Sequence, residues 1–126
     1  MITYQDNLKN ISEQMLDGFC VGWAKPLSGD RLFTVLKNSY RIVLALDKDR
    51  VVGFVNAISD QVKFAFIPML EVKPDYKNQG IGTKLTKRLF ESLADIDNID
   101  LICDKDLQSY YKKFGMIPYT GMVVRK

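Results

Sequence analysis

The chain of 126 residues contains no histidine. That absence removes Ser–His and Cys–His nucleophilic pairs and leaves a conventional zinc site with little to draw on, so no metal is expected. Cysteine is nearly as scarce: Cys20 and Cys103 are too few for a disulfide framework. A thiol in an apolar strand, such as Cys103, is expected to be an inert core residue. No apolar run approaches the ~18 residues of a membrane-spanning helix. The N-terminus has no basic stretch followed by an apolar one, so the expected location is the cytoplasm, with no membrane partner. Neither sign of charge dominates, since 18 Lys and Arg oppose 15 Asp and Glu for a net +3. The basic residues are spread out, so nucleic acid is not demanded as a partner, although a small polyanion would be favoured. Repeats, linkers and low-complexity tracts are also missing, and the length suits one domain over residues 1–126. Any chemistry must run on Tyr, Glu, Asp, backbone and water.

What is present is organised around residues 62–94. Residues 62–72 are nearly all apolar, including Phe64, Phe66, Ile67, Met69 and Leu70, and predict a strand covered on both faces. Pro74 ends it. From there Ile81, Leu85, Leu89 and Leu93 recur at helical spacing and leave Lys84, Lys87, Arg88 and Glu91 outside. The helix therefore starts within Lys77-Asn78-Gln79-Gly80-Ile81-Gly82-Thr83. Two glycines at a helix N-terminus let backbone N–H groups approach a ligand without a Cβ between, and the helix dipole favours an anion there. This is a candidate phosphate site. It is not a P-loop, which needs G-K-S/T, nor a dinucleotide loop, whose third glycine would fall on Leu85.

Around this centre, residues 2–5 read as a short strand, and Asp6 or Asn7 can cap a helix carrying Leu8, Ile11, Met15 and Leu16 on one face. Residues 18–26 form an aromatic loop in which Phe19 and Trp23 either plug the core or wall a pocket. Ser28 or Asp30 caps a second helix that Asn38 and Ser39 close. Residues 40–46 and 51–59 are strands joined by a hairpin turn at 47–50, and Asp60-Gln61 turns the chain into the organising strand. Pro68 cannot donate to a ladder and implies a bulge or lost pairing. After the glycine helix, residues 99–103 predict a strand parallel to its predecessor. A helix over residues 107–114, capped by Asp104 or Asp106 and stopped by Gly115, precedes two short terminal strands around Thr120-Gly121. An antiparallel meander joined to a parallel crossover is an α+β order.

Residues 77–82 resemble Q/R-x-x-G-x-G/A, the acyl-coenzyme A pyrophosphate loop of the GNAT acetyltransferases. Lys77 stands where Arg or Gln is usual, which keeps a cation without the planar fork. Tyr110-Tyr111-Lys112-Lys113-Phe114-Gly115-Met116 resembles the family's F-Y-x-K-x-G-F segment, with Tyr for the first Phe and Met for the last. Asp104 falls where the family often carries an Asn that hydrogen-bonds the pantetheine arm; an ionised acid can accept there but not donate.

The resemblance implies the GNAT fold, a mixed central sheet with helices on both faces. It also implies an N-acetyltransferase that moves an acetyl group directly from acetyl-CoA, a co-substrate, to a primary amine. Lys77, Asn78, Gln79, Gly80, Ile81, Gly82 and Thr83 would hold the pyrophosphate, and backbone N–H groups near Leu70 and Val72 the developing oxyanion. Tyr111 would be the general acid. Glu71 is the nearest acid to the expected thioester and would take the amine proton, directly or through water. Two other readings stay open: a non-catalytic acyl-CoA-binding or sensing module on the same fold, and an interaction domain using the aromatic loop. Exposed terminal strands leave a homodimer open. The acceptor is not written in the sequence.

Overall fold

The computed structural model describes residues 1–126. Five strands form one sheet in the order β1-β2-β3-β4-β5: Ile2–Gln5, Arg41–Asp47, Arg50–Ser59, Phe64–Val72 and Asn98–Asp100. The first four are antiparallel, and β5 lies parallel to β4 after a helical crossover. The turn between β2 and β3 is made by Lys48, at φ +55°, and Asp49. Between β3 and β4, one Asp60 carboxylate oxygen accepts from the N–H groups of Val62, Lys63 and Phe64, and the Ser59 hydroxyl accepts from that of Gln61, so two short side chains satisfy the turn.

The sheet is buried on both faces. Helix α2, Ile81–Ser92, packs Ile81, Leu85 and Leu89 against Val43, Val52, Val55, Ala65 and Ile67 on one face. Helix α1, Gly29–Lys37, packs Leu32 and Leu36 on the other, with Leu16, Phe19, Leu44, Val51 and Phe54. The α+β arrangement with helices on both faces is therefore as the chain order implies. Helix α3, Gln108–Lys112, follows a 3-10 turn at Lys105–Leu107, and Gly115 closes the segment at φ +86°. The predicted helix over 107–114 is thus shortened to Gln108–Lys112, with the 3-10 turn leading into it.

Four expectations are corrected. Residues 6–16 do not form a helix. The Gln5 amide instead donates to the carbonyls of Asn7 and Lys9, Asn10 takes φ +61°, and only a 3-10 turn at Glu13–Leu16, capped by Ser12, remains. Local side-chain bonds from Gln and Asn outbid the helical periodicity there. The second correction is that β4 is not covered at its start, since Phe64 lies at the exposed end of the hairpin. Third, β5 ends at Asp100, not at Cys103. Last, residues 116–126 form no strand. No helix is long and apolar enough to cross a membrane.

Candidate active site

The expected disturbance at Pro68 is present and opens the sheet. Asn56 pairs with Met69 and Ile58 with Phe66, so Ile67 and Pro68 oppose the single residue Ala57. On its other side β4 pairs with β5 only from Phe64 to Phe66. Beyond that point the two parallel strands part. The Lys73 N–H donates to the Val52 carbonyl at 2.8 Å, and the alternation of an antiparallel ladder then turns the N–H groups of Glu71 and Met69 toward β3. Those of Leu70 and Val72 point into the gap that β5 has left.

The loop ahead of α2 lies at the end of this gap. Asn78 has φ +64° and Gly80 φ +80°, two left-handed residues that fold the backbone back on itself into a concavity of N–H groups. None of the N–H groups of Asn78, Gln79, Gly80, Ile81, Gly82 and Thr83 donates within the chain. The first helical N–H with a partner is that of Lys84, on the Gly80 carbonyl. A Cβ built on Gly80 would meet nothing within 4 Å, so the loop faces open space. Lys77 is exposed beside it. This donor-rich surface at the positive end of a helix suits an anion such as a phosphate.

Gly82 joins three elements. A Cβ there would stand 3.6 Å from the Tyr110 hydroxyl and 3.8 Å from Val72 Cγ2. The end of β4, the start of α2 and helix α3 therefore converge on it. The Tyr110 hydroxyl also lies 3.4 Å from Thr83 Oγ1, a contact that sequence reasoning missed because Tyr110 stands where a Phe was expected. Tyr111 stacks edge-on against Tyr110 at 5.0 Å between ring centres. Burial pushes its phenol up to about 12, and Tyr110 and Cys103 add to the effect. It stays protonated across the neutral range, as a proton donor must. Cys103 is also raised, chiefly by burial, but it lies beyond the end of β5 and is only partly buried, so it is not the core strand residue expected. Asp104 is exposed ahead of the 3-10 turn, and its carboxylate caps nothing.

Glu71 sits in a different setting. Both its carboxylate oxygens accept the Cys20 N–H at 3.0 Å, and the Cys20 thiol lies 3.6 Å from one of them. Cys20 is fully buried at φ +59°, so the acid pins a strained corner of the aromatic loop onto β4. Beside it the Lys73 ammonium lies 4.8 Å from the Phe19 ring centre and is held below its usual range by burial. Phe19 stacks edge-on against Phe54 inside the core, whereas Trp23 is half exposed. Phe19 is thus the core plug expected of this loop, and Trp23 is not.

Residues 8–116 match the model of the acetyltransferase (GNAT) family. The chain belongs to the GNAT family. A GNAT relative, the uncharacterized N-acetyltransferase ycf52 of the red alga Porphyra purpurea, is 35% identical over 90% of this chain and 70% of its own length. A histone acetyltransferase of soybean, Glycine max, is 36% identical over 75% of this chain, which spans 46% of that protein. A Deinococcus radiodurans structure assigned to an acetyltransferase superposes with a TM-score of 0.94, at 34% identity, over 99% of this chain and 88% of its own. GNAT membership makes the chain an acyltransferase by family.

Proposed function

We propose that this chain transfers an acetyl group from acetyl-CoA directly to a primary amine. The observation that carries the reading is the meeting of three elements at Gly82: the freed N–H edge of β4, the unpaired N–H groups of residues 78–83, and the Tyr110–Tyr111 pair. The pyrophosphate lies against the backbone of Asn78, Gln79, Gly80, Ile81, Gly82 and Thr83, with Lys77 adding a cation. The pantetheine arm runs along β4 toward Leu70 and Val72, and Asp104 accepts a hydrogen bond from it.

The amine nitrogen attacks the thioester carbonyl carbon, and negative charge builds on the oxygen opposite the N–H groups of Leu70 and Val72. As the C–S bond breaks, the departing sulfur takes the Tyr111 proton, which solvent then restores. The amine proton leaves to Glu71 through water, or to water alone. The Cys20 N–H that occupies the Glu71 carboxylate favours the relayed route over direct contact.

Titration calorimetry of acetyl-CoA followed by thiol release across a panel of amines tests this. Saturable binding with amine-dependent thiol release is expected. Failure to bind removes the proposal. Binding without turnover for any amine would favour the acyl-CoA-binding module instead, a reading that the engaged state of Glu71 keeps in view.

A further inference from the structure

Cations that lie far apart in the sequence meet at the edge of the sheet opposite the gap between β4 and β5. Lys84, Lys87 and Arg88 share an exposed face of α2, and Tyr4 of β1 lies beneath it, with Lys84 Nζ 5.3 Å and the Arg88 guanidinium carbon 5.0 Å from its ring centre. Together with Asp6, Glu91 and Ser92 these cations line a cavity of about 400 Å³. A second cavity, of about 500 Å³, shares Asp6 and Ser92 with the first and carries Lys37 and Arg41. Arg41 is held in place. Its guanidinium stacks on the Tyr40 ring at 4.1 Å and donates to the carbonyls of Ser92 and Tyr40 and to the Tyr40 hydroxyl. Those bonds use three of its five N–H donors and leave two free. None of the five cations is within ion-pair distance of an acid, since the ion pair in this chain joins Lys63 and Asp97. Lys84 and Arg88, four positions apart on α2, repel each other across one ring, which costs the helix stability until an anion stands between them.

We infer that the two cavities together bind a small molecule with two anionic groups, one held by Lys37 and Arg41 and the other by Lys84, Lys87 and Arg88. Volume sets the size of the occupant, because both cavities are on the scale of small-molecule sites. Charge sets its ends: the five cations face two acids, Asp6 and Glu91. Asp6 stands where the cavities meet, and one of its oxygens accepts from the Asn7 side-chain amide. Its charge repels an unbroken polyanion, such as a nucleic-acid backbone or a run of acidic residues, and its free oxygen accepts from a donor placed between two separate anionic ends. Arg41 and Arg88 present planar forks that suit phosphate and carboxylate alike. The site lies over β1 and β2, away from the gap between β4 and β5, so the inference is independent of the acetyl-transfer reading.

Chemical shifts of the backbone amides and arginine Nε–H groups of the full 15N-labelled chain test it, in titrations with inorganic triphosphate and with citrate at about 0.1 M salt. Saturable movement at Tyr4, Asp6, Arg41 and Arg88 is expected with at least one of the two, with a Kd of about 1 mM or lower. Which of them saturates the site tells phosphate from carboxylate. Arg41→Gln and Arg88→Gln alter exposed residues, so the fold stays intact by circular dichroism, and each should weaken binding by about 10-fold. Lys25→Gln, outside both cavities, should leave it unchanged. Movement confined to residues 78–83, a drift of all exposed lysines and arginines without saturation, or unchanged affinity in either arginine variant overturns the inference. So does tighter binding of an oligoglutamate peptide or a single-stranded RNA than of either small anion, which gives the groove to a macromolecule.

Discussion

The loop ahead of α2 and the corner at Glu71 stand at opposite limits of polar satisfaction, although only a few residues of chain separate them. In the loop, the N–H groups of residues 78–83 have no partner in the chain. At the corner a single N–H, that of Cys20, meets both oxygens of one carboxylate. The first arrangement is unfinished and gains stability when an anion supplies acceptors. In the second, the buried N–H has its acceptor without a ligand, so the corner is held in the free protein. A concavity of unspent donors marks where a ligand goes; a closed polar pair marks what keeps the pocket wall in place.

Substitutions that exchange these properties should separate the two regions. The largest effect is expected from Gly80→Asp. The site is open, and Asp tolerates a positive φ, so the fold survives while a carboxylate faces the proposed pyrophosphate site. Acetyl-CoA affinity should fall by about 100-fold or more in calorimetry, on Coulomb grounds. Unchanged affinity would mean that the free donors serve something else.

Tyr111→Phe comes next. Loss of the proposed general acid should lower kcat by roughly 100-fold with acetyl-CoA affinity nearly unchanged. The same substitution carries a stability signature. Because the folded-state value is raised to about 12 from the usual tyrosine value, the folded chain holds its proton longer than the unfolded one. This contribution is fully present below about pH 10 and is lost as pH rises toward 12. Urea unfolding of Tyr111→Phe should therefore show a shallower alkaline decline than the parent chain. Full turnover in this variant would remove Tyr111 from the chemistry.

At the corner the effects should be smaller and should fall on stability. Glu71→Ala strands the buried Cys20 N–H and should cost about 1–3 kcal/mol in urea unfolding, whereas Glu71→Gln keeps an acceptor and should cost less than ~1 kcal/mol. If Glu71→Gln nevertheless lowers turnover most below the pKa of the acceptor amine, the acid relays the proton. A pH-independent loss would leave it as an anchor alone.

How much of this could be read from the residues follows the range of the interactions. Helix α2 and its glycine start were legible because apolar spacing and backbone freedom are local. The bulge at Pro68 was legible because a missing N–H is a property of one residue. Three features were not. The stretch 6–16 has helical periodicity, but Gln5 and Asn7 set its backbone through bonds that periodicity does not encode, with Asn10 left-handed. The clasp between Cys20 and Glu71 joins residues 51 positions apart, and no spacing rule marks it. The terminal segment has strand-forming residues, yet it makes no backbone ladder with any neighbour in the chain.

Amide chemical shifts of 15N-labelled protein during titration with acetyl-CoA test the central claim most directly. The account predicts saturable downfield movement of the N–H signals of residues 78–83, with Leu70 and Val72 following as the gap fills and the Cys20 signal staying still. Saturation with residues 78–83 unmoved, or movement centred on Cys20, would contradict it.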